Sequence, residues 1–216
     1  TLDLLASQKE SYQWFKDAYG AFSIGKRHFL GHIFGEELYS KFGVSGLSVC
    51  DSDFIFACYH GFLGKALSAE GLGAVEKLGH ECDQKKQDRL GCDHGMGHGI
   101  MSYLGDRKLV EALDSCATLL WKGLVGGCSG GVFMEYNFKN SHIPENGGIS
   151  IRPLDEKNLF APCDSLPEKF QYACYYEQPD WWSHVYKQDF IKIAKLCDSL
   201  TNEEYKKLTG VKKKKG

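Results

Sequence analysis

The sequence lacks a long apolar segment, because no run approaches the roughly 18 consecutive apolar residues that mark a membrane-spanning helix. It also lacks an excess of charge, since its formal net charge is −2 and its lysines and acidic residues are interspersed outside the C-terminal tail. A chain without a basic face has no electrostatic footprint for nucleic acid. We therefore expect neither a membrane span nor a nucleic-acid partner.

Motifs that identify several common sites are missing too. There is no P-loop, no H-E-x-x-H pair and no C-x-x-C-H sequence, so nothing supports nucleotide binding or c-type haem. The sequence contains no C-x-x-C pair, the close spacing at which cysteines bind structural zinc. The nine cysteines of the chain therefore need another explanation.

Eight of the nine cysteines fall into pairs, each separated by a short connector. The disulfides expected from this pattern are Cys50 with Cys58, Cys82 with Cys92, Cys116 with Cys128, and Cys163 with Cys174. Cys197 stays unpaired. Closing a connector of this length stabilises the fold by about 2 to 3 kcal/mol on the chain-entropy model. Because disulfides persist where thiols are oxidised, we expect an extracellular, periplasmic or other oxidising compartment.

The cysteine pairs belong to a repeated unit. Helix-like runs such as GLGAVEKLGHEC and DRKLVEALDSC, with apolar residues at three- and four-residue spacing, end at the first cysteine of a pair. A second helix is expected after the second cysteine. Units of about 34 to 46 residues in this order are typical of stacked helical repeats. We predict an all-α fold in which disulfide-stapled helical-hairpin repeats form an α/α solenoid or a partly closed α/α array.

The repeat extends along the whole chain, so we predict a single helical-repeat domain over residues 1–216. Residues 1–24 are expected to form an N-terminal capping helix, and residues 211–216 a disordered basic tail. Residues 139–162 contain several prolines and a pair of glycines, and they are predicted to form a long inserted loop. We expect this loop to cover the histidine-bearing face described next.

Histidines recur at two fixed positions of the repeat, which we call the two columns. They are the second and sixth residues after the second cysteine of a unit, or after Lys26 in a degenerate first copy. The first column contains His28, His60 and His94, and the second contains His32 and His98. Two copies carry an H-x-x-x-H pair, whose members share one face of a helix. Because equivalent residues of stacked repeats line one face, we expect the five imidazoles to form one metal centre.

Two carboxylates are candidates for the same centre. Glu36 continues the line of the histidines on its helix, and Glu135 lies about 100° round its helix from the column position of Met134. Each is predicted to serve as a metal ligand or as the general base for a metal-bound water. For Met134 and Asp180, which occupy column positions, a core residue and a helix cap are the preferred interpretations. Among transition metals that accept imidazole and carboxylate, we rank zinc before copper.

These observations favour a secreted or extracytoplasmic metal-binding protein. In one interpretation it is a metal-dependent hydrolase or oxidase acting on an unidentified small molecule, and in another it carries metal without catalysis. The alternative is a non-catalytic α-solenoid scaffold whose histidines are structural. Such a scaffold would join a larger extracellular assembly through its tryptophan and tyrosine side chains.

Overall fold

A computed structural model describes residues 2–119, 125–139 and 150–200 of this protein, with side chains from Ser7 onward. Over these residues the fold is all-helical and contains no β-strand, as the sequence predicts. The α-helices are α1 (Leu2–Tyr19), α2 (Ile24–Phe42), α3 (Asp53–Glu70), α4 (Val75–Asp83), α5 (Arg89–Leu104), α6 (Leu109–Cys116), α7 (Gly127–Phe138), α8 (Glu168–Val185) and α9 (Phe190–Ser199). The α/α solenoid or partly closed array stays a prediction.

Local sequence explains several helix ends. Helices α2, α3 and α5 end at Gly43, Gly71 and Gly105, whose φ angles of 56°, 70° and 79° favour glycine because it has no Cβ. Helix α9 begins after Asp189, whose carboxylate accepts a hydrogen bond from the Lys192 backbone N–H at 3.0 Å. In the part of the chain that the structure describes, no helix combines the length and hydropathy needed to span a bilayer.

All four predicted disulfides are present. They join Cys50 to Cys58, Cys82 to Cys92, Cys116 to Cys128, and Cys163 to Cys174. The second cysteine of each pair lies in α3, α5, α7 or α8, so every one of these helices is covalently attached to the segment that precedes it. Cys197 on α9 is a free and exposed thiol.

Helix packing follows chain order, with α2 on α3, α3 on α5, α5 on α7 and α7 on α8. Glycines lie where the backbones approach most closely. A Cβ atom on Gly61 of α3 would lie 1.9 Å from the carbonyl oxygen of His32 on α2. On α7, a Cβ on Gly131 would lie 1.9 Å from the carbonyl oxygen of His94 on α5. These positions exclude any side chain, because contacts this short are impossible without moving a helix.

Two clusters of buried side chains form the core. The larger one centres on α3 and α5, with Tyr59, Phe62, Leu63, Met96 and Ile100 fully enclosed. The smaller one lies between α7, α8 and α9 and is built on Phe138, Trp181, Trp182, Ile193 and Leu196. Met134 packs against this smaller cluster, in agreement with its predicted role as a core residue.

The C-terminal part of the predicted inserted loop, residues 150–162, contains no helix or strand and is attached to the smaller cluster. The Arg152 carbonyl accepts from Trp181 Nε1 at 2.9 Å, and the Leu159 carbonyl accepts from Trp182 Nε1 at 3.2 Å. Residues 140–149, which include His142, lie outside the described residues, as does the predicted tail 211–216. Coverage of the histidines by this loop stays a prediction.

The close contact at Gly61 predicts opposite effects for two similar substitutions on one helix. Gly61→Ala should lower the free energy of unfolding by about 1 to 3 kcal/mol, because its methyl group would overlap the α2 backbone. Gly64→Ala, with nothing within 4 Å of the added atom, should raise it by up to about 1 kcal/mol. Thermal unfolding with the disulfides intact measures both. Equal melting temperatures for the two variants would contradict the proposed helix contact.

Candidate metal centre

The five predicted histidines come together around His60 of α3. The centroid of the His60 ring lies 5.3 Å from that of His28, 5.2 Å from His32, 5.4 Å from His94 and 4.5 Å from His98. His28 and His32 belong to α2, and His94 and His98 belong to α5. The packing of α3 against both helices therefore places the His60 imidazole close to the histidine pair of α2 and to the histidine pair of α5.

The possible ligand nitrogens form two groups of three. One group, which we call the first triad, is His28, His32 and His60, and the second triad is His60, His94 and His98. Within each triad the nitrogens lie within 4.8 Å of one another. The sequence predicted two rows, one for each column, and a single centre. The structure instead joins the pair from α2 and the pair from α5 separately to His60.

The first copy of the repeat is displaced by one helical turn from the sequence alignment. The His32 carbonyl lies against Gly61, as the His94 carbonyl lies against Gly131. His32 is therefore the packing equivalent of His94, a position that the alignment gave to His28. The alignment of this copy is hard to predict from sequence, because Lys26 replaces the cysteine that sets the register of the other copies.

Within the first triad, the two histidines of α2 contact each other through their Nε2 atoms. His28 donates its Nδ1–H to the Phe54 carbonyl at 2.7 Å, so its Nε2 carries no proton in the neutral ring. This Nε2 lies 3.1 Å from Nε2 of His32. Two nitrogens bound to one tetrahedral zinc ion lie about 3.3 Å apart when each Zn–N bond is about 2.0 to 2.1 Å. The spacing fits two ligands of one ion.

The backbone at Phe54 has an unusual conformation that provides this carbonyl. Phe54, Ile55 and Phe56 have φ angles of 54°, 58° and 59°, within the left-handed region. For residues with a Cβ atom this conformation costs roughly 1 to 2 kcal/mol each. The first turn of α3 therefore holds strain next to the residue that orients His28, which is the kind of place where strain accompanies function.

The second triad has a similar arrangement of supporting groups. Nε2 of His94 lies 3.2 Å from Nε2 of His98. The Gly127 backbone hydrogen-bonds His94, and Glu135 Oε2 lies 3.0 Å from Nδ1 of His98. A carboxylate or carbonyl that accepts from one ring nitrogen fixes the tautomer and directs the other nitrogen towards a metal.

His60 differs from the other four because neither of its ring nitrogens has a hydrogen-bond partner. Only 6% of the residue is exposed, so bulk solvent has little access to these nitrogens. Leaving one buried polar atom unsatisfied costs about 1 to 3 kcal/mol. A bound cation would remove this cost.

Burial favours the neutral form of His28, His32, His60 and His94. It lowers the pKa of His32 and of His94 to about 3, with smaller contributions from neighbouring histidines. It also lowers the pKa of His28 and, well below the ordinary value, that of His60. Neutral imidazole is the form that binds metal, so protons should compete for these nitrogens only at a pH below the ordinary histidine value of about 6.5.

The two predicted carboxylates occupy different environments. Glu36 on α2 is exposed and belongs to neither triad. Glu135 on α7 is buried, and its carboxylate contacts Nδ1 of His98. Glu135 thus contacts one candidate ligand at Nδ1, and its predicted role as a metal ligand or general base stays a prediction.

A third carboxylate near the second triad was not identified from the sequence. A Cβ on Gly130 would lie 3.0 Å from Glu177 Oε1 and 3.4 Å from Nδ1 of His94. Burial, reinforced by the charge of Asp180, raises the pKa of Glu177 to about 7. The first-column position of the last unit, two residues after Cys174, is the preceding residue Tyr176, which is 57% exposed. The residue of this unit that approaches the second triad therefore lies one position later than the column predicts.

Comparison with protein families, with curated proteins and with solved structures finds no match to this chain. The geometry of the two triads is therefore the main observation that bears on its function.

The lowered pKa values predict how the metal-free protein responds to acid. Below pH 6.5 the unfolded chain takes up protons that folded His94 does not, so the free energy of unfolding should fall as pH decreases towards about 3. One such histidine contributes up to about 1.4 kcal/mol per pH unit. Urea unfolding of chelator-treated protein between pH 6.5 and 5 measures this slope.

His94→Gln should reduce that slope, whereas His80→Gln, at an exposed position of α4, should leave it as in the wild type. Identical slopes in the wild type and His94→Gln would contradict the neutral, buried state of His94.

The contact between Glu135 and His98 predicts a supporting role in metal binding. Glu135→Ala should weaken metal affinity by about 10- to 100-fold, because His98 loses the acceptor that orients its ring. Glu135→Gln, which keeps an acceptor oxygen, should lose less. Competition with a chromophoric zinc chelator gives both affinities, and equal affinities for Glu135→Ala and the wild type would rule out this role.

Proposed function

We propose that this protein binds transition-metal ions through His28, His32, His60, His94 and His98. The observation that carries the proposal is the environment of His60, whose two buried nitrogens lack partners while four imidazoles surround them. Paired Nε2 atoms at 3.1 and 3.2 Å support it, since these separations are close to that of two nitrogens bound to one zinc ion. Zinc remains the first expectation and copper the second.

A purely structural role for the histidines accounts for these contacts less well. Histidines retained for packing normally satisfy their ring nitrogens with backbone or side-chain partners, as buried polar groups do in general. His28 and His98 each contact a carbonyl or carboxylate through Nδ1 and only another histidine through Nε2, and His60 has no partner on either nitrogen. In both pairs the nitrogens available to a metal are the Nε2 atoms that contact each other.

The four disulfides are consistent with an oxidising or extracellular compartment. In such a compartment, a site built on imidazole needs no reduced thiol. We propose that the protein works as a secreted or extracytoplasmic metal-binding protein, with its helical units arranged as an α/α array.

A metalloenzyme is the second candidate, and the number of ligands in each triad favours it. Structural zinc sites have four protein ligands, whereas catalytic sites have three and keep one position for water or substrate. Each triad supplies three histidines. Glu177, whose carboxylate lies on the Nδ1 side of His94, is our candidate for proton exchange with such a water, in preference to exposed Glu36.

Elemental analysis of protein never exposed to chelator tests the proposed function. We expect a stoichiometric transition metal in the wild type and a large loss in His60→Ala, because that side chain belongs to both triads. His80→Ala, at an exposed position of α4, should retain the wild-type content. Circular dichroism should show that the disulfide-linked helices persist in both variants. Wild-type protein without any stoichiometric metal would refute the proposal and leave the scaffold interpretation.

A further inference from the structure

His60 is the junction between two separate sets of ligands. Helix α3 packs between α2 and α5, and each of these helices supplies one pair of histidines. Among the described residues, the pair from α2 and the pair from α5 do not fall into one common group of ligand atoms. A single ion at one triad would therefore leave the other pair without a metal.

The ring of His60 has the two nitrogens that such a junction requires. Both Nδ1 and Nε2 are buried and unpartnered, in contrast to His28 and His98, whose Nδ1 atoms already contact an acceptor. If His60 bound one ion through one nitrogen, the other would remain buried and unsatisfied at a cost of about 1 to 3 kcal/mol. Two ions satisfy both nitrogens.

We propose that the centre is dinuclear, with His60 as a bridging imidazolate between an ion held by His28 and His32 and an ion held by His94 and His98. This inference rests on the proposed function and specifies its stoichiometry as two divalent ions per chain. Each ion then has three nitrogen ligands, and each keeps an open coordination position.

Formation of the bridge has a defined proton balance. The first ion binds the lone pair of the neutral His60 ring, and the second replaces the proton on the remaining nitrogen. That proton leaves to solvent as the new metal–nitrogen bond forms, and no electron is transferred. The two cations favour this loss, because a bound metal ion lowers the pKa of the groups that it contacts.

The supporting groups are arranged for two ions. His28 is oriented by the Phe54 carbonyl, and His98 by Glu135, so each triad has at least one ligand fixed independently of the other triad. The Nε2 spacings of 3.1 Å in the first triad and 3.2 Å in the second are nearly equal.

Native mass spectrometry of metal-depleted protein titrated with Zn(II) tests the stoichiometry. We expect two ions in the wild type and in His80→Ala, and one ion in both His32→Ala and His98→Ala. No ion in the wild type would overturn the proposed function itself. One ion in the wild type, with none in either triad variant, would overturn the dinuclear inference while leaving metal binding intact.

Electron paramagnetic resonance of wild-type protein loaded with two equivalents of Cu(II) tests the bridge and needs no variant to fold. An imidazolate bridge couples the two spins, so the signal per copper should fall well below that of isolated Cu(II). His32→Ala and His98→Ala with one copper each should recover the full signal. Two bound coppers with full, uncoupled intensity in the wild type would overturn the bridging role of His60.

Discussion

Close approach of helix backbones is the constraint on which the histidine cluster depends. Where α3 meets α2, and where α7 meets α5, glycine allows a carbonyl oxygen to occupy the space of a side chain. An imidazole extends only a short distance from its helix, so the rings of α2, α3 and α5 meet because the axes that carry them are close. A larger residue at Gly61 or Gly131 would separate the helices before it altered any ligand.

The disulfides act at the same places. Cys58 and Cys92 each lie two residues before a first-column histidine, and each is bonded to the segment that precedes its helix. The cross-link therefore fixes the turn of helix that presents the imidazole. Each is worth about 2 to 3 kcal/mol on the chain-entropy model. This stabilisation helps the fold to tolerate a buried cluster of polar rings, which is unfavourable without a ligand.

Desolvation and ligand binding work together in this cluster. Burial makes the charged form of His28, His32, His60 and His94 costly, so these rings remain neutral and keep their lone pairs available. The same burial makes unpartnered nitrogens costly, most of all at His60. Both effects favour binding of a cation by this cluster, and neither requires the exposed Glu36 that the sequence also suggested.

The sequence by itself determined the helical class, the disulfide pairing and the identity of the clustered histidines. Each of these follows from short-range periodicity: apolar spacing forms helices, a cysteine pair closes its own connector, and i, i+4 histidines share a face. Tertiary structure decided how the histidines combine, because the register between helices depends on which glycines meet which carbonyls. In this register His32, and not His28, is the packing equivalent of His94. Glu177, and not the exposed Tyr176, lies near the second triad. Neither contact has a local signal, since each is made between side chains and backbones on different helices.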